Sequence, residues 1–165
     1  MKFPHCVRFG SDVNKEEDNE WTPLRMAISE KNLEIIQLLS TNGANLNLID
    51  TVGWTPLTYA IEDPDNIEEL EKENIEIVKL LVENGANINI YDGFGTTAFQ
   101  DTIMEKRKKI LKFCLDNGAN LTMRTVYKRN NALELAMKDN HVDILKQLII
   151  HNMEISRFSC HSDFS

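Results

Sequence analysis

The chain has 165 residues, 42% of them hydrophobic, and a formal net charge of −8. This length and apolar content predict one folded domain, and the acidic balance argues against nucleic acid as a partner, because binding to phosphates depends on Lys and Arg. No apolar run approaches the roughly 20 residues that a membrane-spanning helix needs, and no leader-like segment opens the chain. We therefore expect a cytoplasmic protein, in its own cell or in a host cell, without a membrane partner.

The cysteines indicate the same kind of compartment. Cys6, Cys114 and Cys160 are odd in number and far apart in the chain. A disulfide framework uses an even number of cysteines, so this pattern predicts free thiols in a reducing environment.

A segment of about fifteen residues recurs along the chain, and recurrence at a fixed interval identifies a structural unit. Two of the copies read GANLNLIDTVGWTPL and GANINIYDGFGTTAF. Thr22 and Thr55 hold the same place in successive copies, 33 residues apart. The copies open at Gly10, Gly43, Gly85 and Gly118.

Each copy carries the signals for two helices. Thr22 and Thr55 are good N-caps, and the proline after each one suits the first helical position. A second apolar pattern, such as residues 33–39, has the i, i+3, i+4 spacing of an amphipathic helix and is followed by an Asn-Gly pair that can close it. The unit is therefore predicted to be a β-turn hairpin followed by two antiparallel helices. Such a unit must stack on its neighbours to bury its apolar face.

The register divides the chain into successive segments. Residues 1–9 are predicted to be the end of a helix that packs on the first repeat as an N-terminal cap. The last residues match no part of the unit and are predicted to form a disordered tail. The repeats are placed at about 17–49, 50–91, 92–124 and 125–155, with an insertion at 63–73 and the tail at 156–165.

The sequences DTVGWTPLTYAI and NIEIVKLLVENGANINI resemble the hairpin–helix and second-helix signatures of the ankyrin repeat, over about residues 10–155. The resemblance implies an all-α fold, an ankyrin-repeat solenoid of helix–turn–helix units joined by β-hairpin loops. The family usually places His after Thr-Pro-Leu. That His is replaced here by Arg25, Thr58, Gln100 and Glu134, so its hydrogen bonds are not carried over.

The second unit is longer than the first, because 42 residues separate Thr55 from Thr97. The excess lies within EDPDNIEELEKEN, between the two helices of the unit. Pro64 is predicted to end the first helix, and Asp65 or Asn66 to cap a helical extension of the second. The acids of the insertion are predicted to lie beside the basic run of the next unit, residues 106–109, in an inter-repeat charge network. The alternative is a solvated flap.

No catalytic motif is present, since the chain has no Gly-x-Ser-x-Gly, His-Glu-x-x-His or phosphate loop. We expect no enzymatic activity and no cofactor. The pairs His5-Cys6 and Cys160-His161 would bind zinc only if the two ends of the chain met. Packing of one end and fraying of the other is the favoured interpretation, so no metal is expected. The basic run at 106–109 lacks the aromatic and basic surround of a nucleic-acid contact.

The resemblance also implies where a partner binds, because hairpin tips and first helices of stacked repeats line one concave face. An aromatic residue recurs at this edge, and aromatic residues at interfaces often become hot spots. The alternative for the tryptophans is packing against a neighbouring hairpin. The predicted partner-binding residues are Asp18, Asn19, Trp21, Glu30, Thr51, Val52, Trp54, Glu62, Asp63, Tyr91, Phe94, Met104, Tyr127 and Lys128.

The expected function is that of a non-catalytic protein–protein interaction module, acting as a monomer in the role of an inhibitor, an effector or an immunity-type adaptor. Its acid-rich edge suits a protein partner with a basic patch. Two alternatives remain open. One is an enzyme accessory or a metal-dependent activity, which would need a convergent polar pocket. The other is a fragment of a larger ankyrin-repeat scaffold.

Overall fold

The computed structural model of this protein describes residues 12–15, 21–62, 71–138 and 140–159, the side chains of 71–73 and 154–159 excepted. In this part of the chain the fold is all-α, as the sequence predicts, with one isolated β-bridge between Tyr91 and Thr97. The helices are α1 (Pro23–Ser29), α2 (Leu33–Thr41), α3 (Pro56–Ile61), α4 (Glu71–Glu83), α5 (Ala98–Met104), α6 (Lys108–Asp116), α7 (Ala132–Lys138) and α8 (Val142–Ser159).

The helices form two layers. The first helices of the pairs, α1, α3, α5 and α7, stack in that order, and the second helices, α2, α4, α6 and α8, stack behind them. The hydrophobic core lies between the layers and runs from Leu24 in α1 to Leu148 in α8, with Phe99 its largest fully buried side chain. Each repeat therefore buries its apolar face only by contacting its neighbours, as a stacked repeat must.

The first helices begin at the predicted caps. The hydroxyls of Thr22, Thr55 and Thr97 each accept the N–H of the residue three positions later, at 3.1, 3.1 and 3.3 Å. Gln100 returns the contact by accepting the Thr97 N–H at 3.0 Å, which completes a capping box. These bonds satisfy backbone donors that a helix start leaves without a partner.

The second helices of the first three pairs end at the predicted Asn-Gly pairs. Gly43, Gly85 and Gly118 have φ of +87°, +103° and +84°, the left-handed conformation that favours glycine. The asparagine before each glycine donates its side-chain N–H to the carbonyl four residues earlier, at 2.7, 2.8 and 2.8 Å.

Asparagine side chains also join successive repeats. Asn14, Asn47 and Asn89 occupy equivalent positions, and each contacts the Gly-Ala-Asn segment of the next copy. Their Nδ2 atoms donate to the glycine carbonyls at 3.3, 3.3 and 3.0 Å, and their Oδ1 atoms accept the asparagine N–H at 2.6, 2.8 and 2.8 Å. This ladder links the repeats through groups that the sequence analysis did not single out.

The insertion adds a turn to α4. This helix has 13 residues, against 9 in α2 and in α6, and its extra residues precede Ile75. The longer helix matches the predicted extension, and α3 ends before Pro64. Residues 63–70, with the candidate caps Asp65 and Asn66, lie outside the described residues. The helix pairs fall one in each predicted repeat, except that α8 continues to Ser159, beyond residue 155.

Candidate binding surface

Three turns lie side by side at one edge of the stack, at residues 51–53, 93–95 and 126–128; they are called the hairpin edge below. Backbone hydrogen bonds join them, because the Gly93 N–H donates to the Gly53 carbonyl at 2.7 Å and the Val126 N–H donates to the Gly95 carbonyl at 2.8 Å. A Cβ on Gly93 would lie 2.7 Å from the Gly53 Cα. Only glycine permits this close approach, which makes the three tips one continuous surface.

The hairpin edge carries exposed apolar side chains. Val52, Phe94 and Val126 are 50%, 50% and 51% exposed, and Tyr127 is 79% exposed. Four such residues on linked tips form a local patch, and exposed apolar patches mark interaction sites more often than apolar residues scattered singly do.

Two aspartates hold the tips in place. Asp50 Oδ1 accepts the N–H groups of Val52, Gly53 and Trp54 at 3.0, 3.0 and 2.9 Å. Asp92 Oδ1 accepts those of Phe94 and Thr96 at 2.9 and 3.0 Å. Side-chain bonds of this kind define an Asx-type turn, so both acids fix the position of the aromatic residue beside them.

Between the first two repeats, Arg25 is enclosed by aromatic and acidic groups. Its Cζ lies 4.2 Å from the ring centroid of Trp21 and 4.2 Å from that of Tyr59. Its Nη1 donates to Asp50 Oδ2 at 3.0 Å, and the Tyr59 hydroxyl donates to the same oxygen at 2.6 Å. Trp54 packs edge-on against Tyr59, with centroids 4.7 Å apart. Trp21, Arg25, Asp50 and Tyr59 are called the Arg25 network below.

The network changes the acid–base behaviour of its members. Burial alone would raise the pKa of Asp50, but the Tyr59 hydroxyl, the Trp54 N–H and the Arg25 charge outweigh it, and the net pKa is lowered. Burial and the bond to Asp50 raise the pKa of Tyr59. Asp50 is therefore ionised and Tyr59 neutral at physiological pH, which is the state in which both donors can face one carboxylate.

A groove lies between the second and third repeats, beside the hairpin edge. Its volume is about 290 Å³. Its apolar walls come from Trp54, Phe94 and Met104, and its acids are Glu62, Asp92 and Asp101. This acidic groove, as it is called below, is lined by Trp54, Thr58, Glu62, Asp92, Phe94, Thr96, Asp101 and Met104.

Asp101 is the unusual member of the acidic groove. Asp101 is only 2% exposed, and its Oδ2 atom has no hydrogen-bond partner among the described residues. Burial, followed by the charges of Asp92, Glu62 and Glu105, raises the pKa of Asp101 well above its usual range. A side-chain hydrogen bond with Thr96 opposes this rise in pKa. A buried acid with one oxygen left unsatisfied is still destabilising, and such a group calls for an explanation.

Glu62 is subject to the same influences in a weaker form. Burial raises its pKa, the neighbouring acids Glu105 and Asp92 add to the rise, and Arg107 opposes it. The acidic groove therefore concentrates carboxyl groups that raise one another's pKa, and Arg107 opposes this effect at Glu62.

The predicted binding residues occupy several environments. Trp21, Trp54, Glu62 and Met104 are half-buried, so both tryptophans pack inside the stack as well as reaching its surface. Asp18, Asn19 and Asp63 lie outside the described residues. Tyr91 is exposed, and its hydroxyl donates to the Arg124 carbonyl at 2.9 Å. The other exposed positions are Glu30, Thr51, Val52, Phe94, Tyr127 and Lys128.

The sequence analysis did not select Asp92, Asp101 or Arg25. For Asp101 a signal was available. The positions equivalent to it hold Met26, Tyr59 and Leu135, so Asp101 is the one acid at an otherwise uncharged position of the repeat. An acid at a position whose counterparts face the stack indicates a special environment.

The basic run contacts the following repeat. Lys108 Nζ lies 2.6 Å from Asp143 Oδ2, and both side chains are more than half exposed. Arg107 is buried and acts electrostatically on Glu62, at the start of the inserted segment. The predicted charge network with the rest of the insertion falls on residues outside the described part, so it remains a prediction.

No group of three or more His, Cys, Asp or Glu suited to a metal ion occurs among the described residues, which exclude His5, Cys6, Cys160 and His161. Cys114 is buried, and burial raises the pKa of its thiol to about 12. That thiol is protonated at neutral pH and is a poor nucleophile. Among the described residues, no helix has both the length and the apolar character needed to cross a bilayer.

A comparison with protein families agrees with the geometry. The sequence model described as "Ankyrin repeats (3 copies)" matches residues 4–71 and 67–159. Together the two matches cover most of the chain, and the stacked helix pairs with hairpin tips are the architecture that the resemblance implied. Ankyrin repeats are general protein–protein interaction modules. This chain therefore belongs to the ankyrin-repeat family.

Proposed function

We propose that this chain is a non-catalytic protein-binding module that acts as an inhibitor, an effector or an immunity-type adaptor, with the hairpin edge as its contact surface. The observation that carries the proposal is the exposed apolar patch of Val52, Phe94, Val126 and Tyr127 on tips that backbone bonds hold together. A preorganised backbone loses little conformational entropy on binding.

Charge supports a partner with a basic patch. The chain has a net charge of −8, and Glu62, Asp92 and Asp101 gather beside the apolar patch. Complementary charge of this kind speeds association and selects among partners. The surface therefore combines an apolar anchor with an acidic flank.

Two features favour binding over catalysis. The buried Cys114 thiol is protonated, and the lining of the acidic groove contains no histidine. The groove is at the lower limit of the roughly 300–1,000 Å³ typical of small-molecule sites. We place the site of action in the cytoplasm, of its own cell or of a host cell, and the acting species is a monomer.

The test is affinity capture with two matched variants. The double variant Phe94→Ala with Tyr127→Ala removes the apolar anchors of the hairpin edge. Leu38→Ala removes a side chain of similar exposure, 49%, from α2 in the other layer. We expect the edge variant to lose affinity by about 2 kcal/mol, or roughly 30-fold, and the α2 variant to bind like the wild type.

Circular dichroism of both variants is the control for folding. Equal capture by the edge variant and the wild type would show that the contact surface lies elsewhere. Capture lost equally in both variants would show that binding is not specific to the hairpin edge.

A further inference from the structure

Two neighbouring repeat interfaces use equivalent positions differently. Trp54 is the counterpart of Trp21, and Asp92 is the counterpart of Asp50. Thr58, however, stands where the first interface has Arg25, and Asp101 stands where it has Tyr59. The interface between the second and third repeats therefore has the same tryptophan and turn acid as the interface between the first and second. It also has a second acid, and it lacks an arginine at the position from which Arg25 joins the tryptophan to the turn acid.

The Arg25 network shows how a guanidinium occupies the space between the tryptophan and the turn acid. There the guanidinium stacks on an indole at 4.2 Å and pairs with the turn carboxylate at 3.0 Å. In the acidic groove the equivalent carboxylate, Asp92, accepts through Oδ2 from the Thr96 hydroxyl at 3.1 Å. A carboxylate can accept about four hydrogen bonds, so Asp92 retains capacity for a further donor.

Asp101 supplies the second, independent observation. Asp101 lines the groove, and its buried Oδ2 atom has no hydrogen-bond partner among the described residues. The charges that act on it are those of Asp92, Glu62 and Glu105. Arg107 acts on Glu62. A cationic donor that entered the groove would therefore meet an acid whose charged neighbours are also acids.

The walls of the groove suit a long side chain. Trp54, Phe94 and Met104 present apolar surface around the acids, and arginine buries an aliphatic stem against such surface while its head remains polar. The groove volume of about 290 Å³ is small for a whole ligand and suits one side chain. Guanidinium also matches two carboxylates better than an ammonium does, because its five donors lie in a fixed plane that stacks on an aromatic face.

We propose that the acidic groove is a subsite for an arginine side chain of the protein partner, stacked on Trp54 and paired with Asp92 and Asp101. This inference rests on the proposed function, because it names the part of the partner that enters beside the hairpin edge. The chain's own Arg25 is the intramolecular equivalent of that side chain. The proposal thereby specifies that the basic patch expected on the partner contains an arginine that enters the acidic groove.

The first experiment uses N-acetyl-arginine methylamide as the probe and the neutral isostere N-acetyl-citrulline methylamide as its control. Titration of the ¹⁵N-labelled protein is followed through the Trp54 indole and the Asp101 amide signals, with the Trp21 indole as an internal reference. We expect millimolar binding of the arginine probe, with shifts confined to the groove, and at least tenfold weaker binding of the citrulline probe. Equal shifts with both probes would overturn the proposal.

Two variants test the role of Asp101 and the role of position 58, where this interface lacks the arginine of the previous one. Asp101→Asn keeps the shape of the side chain and is expected to weaken the arginine probe at least tenfold. Thr58→Arg supplies the guanidinium from the chain itself, at the position that Arg25 holds in the previous repeat, and is expected to abolish probe binding. Probe affinity unchanged in Asp101→Asn would refute the subsite even if Thr58→Arg failed to fold.

A last comparison separates this inference from the proposed function. Tyr127 belongs to the hairpin edge and does not line the acidic groove. If Tyr127→Ala loses the captured partner while Asp101→Asn keeps it, the module stands and the subsite is wrong. If the arginine probe binds but neither variant affects capture, the groove binds arginine and the proposed contact surface is wrong.

Discussion

Replacement of Asp50 by asparagine tests the Arg25 network directly. The asparagine retains an Oδ1 acceptor for the turn, but it loses the carboxylate oxygen that accepts from Arg25 at 3.0 Å and from Tyr59 at 2.6 Å. The side chains of Arg25 and Asp50 are 13% and 6% exposed, so solvent screens their interaction little. Hydrogen bonds to charged groups contribute about 1.5–3 kcal/mol each, and an ion pair broken on one side leaves a buried charge.

We therefore expect Asp50→Asn to lower the free energy of unfolding by about 3 kcal/mol, near the lower end of the range for broken buried pairs. For a chain of this size that loss corresponds to a fall in Tm of roughly 6–12 °C. The assay is urea unfolding followed by far-UV circular dichroism, with thermal scans at the same protein concentration. Agreement between the urea and the thermal results would show that the transition is cooperative enough for the comparison.

Asp92→Asn is the matched control. Asp92 holds the equivalent turn, but its Oδ2 accepts from the neutral Thr96 hydroxyl at 3.1 Å. Its replacement should change stability by less than about 1 kcal/mol, the usual value of one neutral hydrogen bond. Equal losses in Asp50→Asn and Asp92→Asn would refute the reasoning, because they would assign the effect to the turn and not to the Arg25 network.

The effect of Asp50 also has a defined pH dependence. The pKa of Asp50 is lowered in the folded protein, so its contribution to stability is present above the pKa of the unfolded chain, about 4, and is lost as the pH falls through the folded value. The difference between the wild type and Asp50→Asn should therefore shrink below about pH 4. A difference that stayed constant to pH 2 would contradict an electrostatic origin.

Three other predictions concern single positions. Asp101→Asn should raise Tm at pH 7. The pKa of Asp101 is raised in the folded protein, so the stability of the wild type falls as the pH rises above about 4. Thermal scans between pH 4 and 8 should show this fall in the wild type and not in the variant. Gly93→Ala should destabilise by about 1–3 kcal/mol in urea unfolding, because its Cβ would lie 2.7 Å from the Gly53 Cα; an unchanged midpoint would mean that the two tips do not approach so closely. Lys108→Ala should leave Tm unchanged within error, since its pair with Asp143 is exposed to solvent and screened by salt; a clear fall would give the basic run a structural role.

Much of the fold was predictable because its signals are local in the chain. The cap formed by Thr22 depends on a residue three positions away, and the left-handed turn at Gly43 depends on the glycine itself. Regular spacing of such signals defines the repeat, and the family match confirms the ankyrin assignment. The length of α4 followed from the same comparison of spacings, although the caps proposed for it lie outside the described residues.

The candidate site was only partly predictable. The exposed tip residues Phe94 and Tyr127 were selected from their positions in the repeat, and the structure places both at the surface. The acidic groove was not foreseen as a pocket, although four of its lining residues (Trp54, Glu62, Phe94 and Met104) were among the predicted binding residues. Its walls come from two repeats, and its acids come from a turn, from the residue after α3 and from α5. Periodicity identifies which side of a helix is apolar, but it does not reveal which polar group on the next repeat lies opposite.

The sequence by itself determined the helix caps, because each cap depends on residues within a few positions of one another. It also determined the repeat register and the all-α class, because these local signals recur at regular spacing along the chain. Only the tertiary structure decided how neighbouring repeats meet. Arg25 reaches Asp50 and Tyr59 across an interface, 25 and 34 positions along the chain. In the next interface the same stacking places Asp101 near Asp92, and no cation lines the groove between them among the described residues. Contacts of this kind arise from the packing of whole helices, so an isolated repeat does not encode them.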